Sequence, residues 1–98
     1  LDDAPPLSAD AGALLSTPEG REVLIALREG LREVAGEDPW YGPLIHRIQE
    51  RTGQKGRKLL LPVRAALTGL LKGPELEKIL GRLGREAALR RVDRLLAS

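Results

Sequence analysis

Leucine, valine and isoleucine recur at intervals of three and four along most of the chain, and no stretch alternates with period two. That spacing predicts helices throughout and no sheet. Ser8 is placed to cap a short helix ending near Leu15. Thr17 before Pro18 is a stronger start signal, because the N-cap oxygen and the proline both suit a first turn whose N–H groups lack helical acceptors. Val23, Leu24, Leu27, Leu31 and Val34 then form one apolar stripe, and Gly36 is the predicted stop. Residues 37–42 read as a turn. Pro43 opens the next helix, with Leu44, Ile45 and Ile48 on one face and Gly53 at its end.

A polar loop follows, Gly53-Gln54-Lys55-Gly56-Arg57-Lys58. The third main helix is predicted over Lys58 to Thr68. Proline belongs in a first turn, so Pro62 puts its regular part from about Leu60 or Leu61 onward. Gly73-Pro74-Glu75 repeats the start signal ahead of Leu76, Ile79, Leu80 and Leu83. A last helix runs from Arg85 to Ala97, with Ala88, Leu89, Val92, Leu95 and Leu96 inward. The expected fold is all-α, a compact bundle or cage of about five short helices. Residues 1–7 read as a linker or the tail of a preceding unit, and residues 8–98 as one domain.

Composition narrows this further. Ninety-eight residues make one small domain with a modest core. At 42% hydrophobic and 31% charged, the chain is too apolar to be disordered and too charged to span a bilayer. It holds no Cys, Met or Phe and one Trp and one Tyr, so the core must be aliphatic. The acidic start, Leu1-Asp2-Asp3, has no signal-peptide pattern, which makes a cytoplasmic location the expectation. The first residue is not Met, as in a piece of a longer protein.

The net charge of +2 hides a split. Residues 1–45 carry nine acidic and three basic side chains; residues 46–98 carry five acidic and thirteen basic. A basic half on so small a domain is the electrostatic footprint of a polyanion binder, although arginine-rich helix surfaces are also common. Catalytic chemistry finds no support. His46 is the one histidine, and no nucleophile elbow or ligand cluster accompanies it. The 53–58 loop lacks the Walker spacing, hydroxyl and strand, but Lys55, Arg57 and Lys58 can meet a nucleic-acid backbone. Arg64 stands in an otherwise apolar run, beside the buried stripe of its helix. Two readings stay open: it pairs with a carboxylate, or its guanidinium reaches a base edge or phosphate.

The run Lys58-Leu59-Leu60-Leu61-Pro62-Val63-Arg64-Ala65-Ala66-Leu67-Thr68-Gly69, followed by Gly73-Pro74-Glu75-Leu76, Ile79-Leu80 and Leu83-Gly84-Arg85-Glu86, resembles the C-terminal anticodon-binding domain of bacterial-type glutamyl-tRNA synthetases. The likeness is strongest from Gly56 to Leu96 and extends upstream through Trp40 to cover nearly the whole chain. The resemblance implies a helical cage for the anticodon of tRNA-Glu. It implies Arg64 at the anticodon, and Leu61, Gly73 and Leu76 lining a base pocket. Lys55, Arg57, Lys58 and Lys72 would then steer the RNA backbone. Leu60 replaces an aromatic of the family, Leu61 stands where some members carry a polar residue, and Arg85 replaces a lysine.

The class I signatures His-Ile-Gly-His and Lys-Met-Ser-Lys-Ser are absent from this chain. No cofactor is therefore expected in it; the resemblance implies ATP and Mg for a parent synthetase, whose catalytic and neighbouring helical domains would be partners. A monomer with no membrane association is expected. The competing reading is a helical protein-interaction module that docks through its acidic first half.

Overall fold

A computed structural model describes residues 7–97, and these form six helices with no strand among them. The helices are α1 (Ala9–Leu15), α2 (Pro18–Glu33), α3 (Tyr41–Thr52), α4 (Arg57–Thr68), α5 (Leu76–Leu83) and α6 (Arg85–Ala97). Their Cα radius of gyration is 12.0 Å, close to the roughly 13 Å expected of a folded chain of about 100 residues. The all-α expectation holds, with six helices in place of about five. The predicted linker lies, except for Leu7, outside the described residues.

Both predicted caps form. The Ser8 hydroxyl accepts from the Ala11 N–H at 3.1 Å, and the Thr17 hydroxyl accepts from the Gly20 N–H at 2.9 Å. Thr17 also donates to the Leu14 carbonyl at 2.7 Å, so one hydroxyl starts α2 and holds the end of α1. The chain there is tight: a Cβ at Gly20 would stand 2.1 Å from the Leu14 carbonyl oxygen.

α2 is the centre of the packing, touching α1, α3, α4 and α6. Its predicted stripe is buried, with Val23, Leu27, Leu31 and Val34 fully enclosed. Leu44 and Ile48 meet it from α3, Leu59, Val63 and Leu67 join from α4, and Ala88 and Val92 complete the core from α6. No polar or charged side chain is buried among the described residues. The polar links between helices run over the rim. Arg85 donates to the Leu31 carbonyl at 2.9 Å and Arg91 to the Leu67 carbonyl at 2.6 Å. Each arginine satisfies a last-turn carbonyl that has no acceptor role left inside its own helix.

Four boundaries differ from expectation. α2 stops at Glu33, and Gly36, with φ of 87°, closes the turn beyond it. α3 begins two residues before Pro43, because proline fits anywhere in a first turn and does not mark its first residue. α4 begins at Arg57 and runs through Pro62, its sixth residue. Proline removes one helical bond, the one to the Lys58 carbonyl, and its ring joins the buried side of the helix. Pro74 lies outside α5, which starts at Leu76 with Glu75 as its cap.

The Gly20 contact yields a paired test. Gly20→Ala is expected to destabilise the fold by about 1–3 kcal/mol, although alanine is the better helix former. Gly81→Ala, with nothing within 4 Å of its new Cβ, is expected to stabilise by about 0.5–1 kcal/mol. Urea unfolding of the two variants checks the pair; equal effects of the same sign would contradict the close approach.

Candidate nucleic-acid interface

α4 turns two faces in two directions. Leu59, Pro62, Val63, Ala66 and Leu67 face the core. Arg57, Leu61, Arg64 and Thr68 follow one another at spacings of four, three and four, so they form a single stripe along the other side. Lys58 sits next to that stripe and is exposed.

Arg64 pairs with no carboxylate. Its Nη1 donates to the Pro74 carbonyl at 2.7 Å. This is the one hydrogen bond of its side chain to the described residues, so the other edge of the guanidinium fork is unengaged. Thr68 supports the arrangement from one turn further on. Its hydroxyl donates to the Arg64 carbonyl at 2.9 Å and accepts from the Leu70 N–H at 3.1 Å, which fixes the way the chain leaves α4. Gly69 ends the helix in the left-handed region at φ of 77°. Gly73 has φ of 150°, and a Cβ there would stand 3.3 Å from Arg64 Nη1. Glycine at 73 therefore keeps the 69–75 connection close under the guanidinium.

The structure brings together two of the residues expected to form the base pocket, Arg64 and Gly73. Leu76 follows on the same connection, but its side chain is 4% exposed and belongs to the core. Leu61 shares the stripe with Arg64 and lines a cavity of about 480 Å³ on the other side, between α4 and the α1–α2 corner. Arg57, Lys58, Gln54 and Glu19 also line that cavity. Leu60 packs partly against the core.

The expected backbone-steering residues stand apart from the paired charges of the molecule. On the α2–α3 side, Arg47 bonds Glu33 at 3.3 Å and Glu37 at 3.2 Å, Arg51 bonds Glu33, and Arg32 reaches Asp93 at 3.7 Å. Lys55, Arg57, Lys58 and Lys72 enter no ion pair among the described residues. Lys72 borders a small cavity with Ser8, Asp10, Leu70 and Leu71. His46 lies at the surface within 3.4 Å of Glu50, with no nucleophile beside it. No cluster of metal-ligating side chains and no helix long and apolar enough to cross a membrane occurs among the described residues.

One residue here carried no signal in the sequence. Tyr41, at the start of α3, lines a cleft with Asp38, Pro39, Trp40, Glu77, Leu80 and Gly81. Burial raises its phenol above the ordinary 10.0; Glu77 raises it further, Arg64 opposes the shift and Glu75 adds to it. Tyr41 thus shares the electrostatic surroundings of Arg64 across 23 residues of sequence, a proximity that periodicity does not encode.

Comparison with known proteins agrees with the motif. The chain matches the anticodon binding domain family over residues 2–96. It is 35% identical over 91 residues to glutamate–tRNA ligase 2 of Syntrophus aciditrophicus, covering 92% of this chain and 19% of the relative. It is 38% identical over 84 residues to glutamate–tRNA ligase of Bacillus velezensis, covering 85% and 17%. It is also 38% identical over 100 residues to glutamate–tRNA ligase of Oleidesulfovibrio alaskensis, covering 98% and 21%. The chain therefore spans about a fifth of the length of these curated relatives. No solved structure matches it.

The Tyr41 surroundings set an alkaline limit on stability. A phenol whose pKa is higher folded than unfolded contributes fully below the unfolded value near 10 and loses that contribution as pH rises through the folded value. Urea midpoints taken at about pH 9 and about pH 11 are expected to fall less for Tyr41→Phe than for the wild-type chain. Equal falls would show that this phenol ionises alike in both states.

Proposed function

Since the chain belongs to the anticodon binding domain family, we propose that it holds the anticodon of tRNA-Glu as the C-terminal domain of a glutamate–tRNA ligase. Arg64 is the anticodon-reading side chain, with Gly73 beneath it; Leu76 anchors their connection in the core and Leu61 continues the Arg64 stripe toward Arg57. Lys55, Arg57, Lys58 and Lys72 steer the phosphate backbone. The parent enzyme performs ATP- and Mg-dependent glutamylation in a domain outside this chain, in the cytoplasm, and this domain works beside a neighbouring helical one.

The observation that carries the reading is the anchored, half-engaged guanidinium. Single-stranded loop bases are recognised by splaying them out and bonding their edges. An arginine already held through Nη1 by a backbone carbonyl has lost much of its rotamer freedom and still presents N–H donors outward. The unpaired cations of α4 and its flanking loops supply the non-specific attraction that phosphates require. The competing protein-interaction reading would use the α2–α3 face, where several of the charges already neutralise one another.

Titrating the chain with tRNA-Glu at two salt concentrations tests the proposal. Binding is expected to weaken steeply with salt. No binding at low salt would refute it in favour of a protein-docking role. Arg64→Ala is expected to lose about 1–3 kcal/mol of binding free energy with the fold intact, and Lys55→Ala to lower the salt slope by about 1. Unchanged affinity in Arg64→Ala would remove the arginine from the interface.

A further inference from the structure

We propose that Tyr41 is a second RNA-reading residue, its hydroxyl contacting the edge of the same nucleotide that Arg64 holds. This rests on the RNA-binding reading above and adds to it a residue that the Arg64 motif does not contain.

The chain has two aromatic side chains, and they stand side by side, Trp40 and Tyr41, where the 37–40 turn enters α3. Both are half-buried and pack against the aliphatic core. They line one cleft with Glu77 and Gly81 of α5. Glu77 follows Pro74 by three residues, and the Pro74 carbonyl is the anchor of Arg64. Arg64 is thus bound to the connection that leads into α5, Tyr41 lines a cleft with α5 itself, and the two side chains are close enough to interact electrostatically.

The Tyr41 hydroxyl makes no hydrogen bond to the described residues and is not sealed from solvent. A tyrosine with its ring fixed in apolar packing and its hydroxyl open is a low-entropy contact for a ligand. The local charge then decides which part of a nucleotide fits. Asp38 and Glu77 line the cleft, Glu75 adds its charge from nearby, and together they disfavour a phosphate. Arg64 supplies donors, while the phenol and the carboxylates supply acceptors. That combination matches a base edge presenting acceptor and amino groups together, with the phosphates left to the lysine- and arginine-bearing side of α4.

A double-mutant cycle on the full chain with a tRNA-Glu transcript at one fixed salt concentration tests this, with Trp40 fluorescence as the binding signal. Tyr41→Phe keeps the ring and removes a hydroxyl that bonds nothing in the protein, so its melting at neutral pH is expected to match the wild type. It is expected to weaken binding about 3- to 10-fold, the range of one hydrogen bond, with the salt slope unchanged. In the Arg64→Ala background the same change is expected to cost less than about twofold, because the shared nucleotide is already released. Wild-type affinity in Tyr41→Phe, alongside a clear loss in Arg64→Ala, would overturn the assignment of Tyr41 and leave the RNA reading standing. Losses that multiply in full would overturn the shared nucleotide. No loss in Arg64→Ala would remove the arginine from the interface and defeat this inference with it, while the absence of any tRNA binding at low salt would defeat the RNA reading itself.

Discussion

A single charge-assisted bond, Arg64 Nη1 to the Pro74 carbonyl, organises the face of the molecule that we propose meets RNA. It joins α4 to the connection that leads into α5. Gly73 lets that connection pass directly under the guanidinium, where a side chain would crowd Nη1. Thr68 holds the exit of α4 so that the connection turns back in time. A flexible arginine on a bare helix would have to lose its rotamer freedom on binding, whereas this one has lost part of it already. The bond occupies one corner of the fork and leaves the remainder to a ligand.

The rest of the fold makes that economy possible. The core is aliphatic and holds no wholly buried polar or charged residue among the described residues. The helix ends are tied together at the rim by arginines that donate to backbone carbonyls, Arg85 to Leu31 and Arg91 to Leu67. Arg64 is a third case of the same chemistry, set where the surface opens. The acidic and basic halves also separate by use. On α2 and α3 several cations are matched to Glu33, Glu37 and neighbouring acids, and around α4 the lysines and Arg57 are left to a partner of opposite charge.

Much of this was legible in the chain, and the illegible parts have common causes. The apolar stripe of α2 and the Thr17 cap were readable because both are local: one is a periodicity, the other a single turn. The Gly-Pro-Glu start at 73–75 misplaced α5, because the Pro74 carbonyl serves an arginine ten residues away, which no window around residue 74 contains. Pro62 misplaced the regular start of α4, because tertiary packing absorbed a proline that the local rule keeps in a first turn. The Arg64 motif pointed to the proposed site through a resemblance, while the residue's place in its helix favoured a carboxylate pair that the structure does not contain. Tyr41 could not be found at all: its cleft joins α3 to α5, 36 residues away at Glu77, a proximity that no local pattern encodes. The basic count of the second half also overstated the available surface charge, since Arg85 and Arg91 are spent on helix ends.

The central claim is that RNA is met by the α4 face and the 69–76 connection, and not by the acidic α2–α3 face. The most direct measurement is an NMR titration of the isotope-labelled chain with the anticodon stem-loop of tRNA-Glu, following backbone amides and the Arg64 Nε–H. Shifts are expected to concentrate at Arg64, Gly73, Leu76 and the Lys55–Lys58 segment, with the amides of Glu22, Ile25 and Glu29 unmoved. Shifts confined to those α2 residues, or none at Arg64 on saturation, would contradict it.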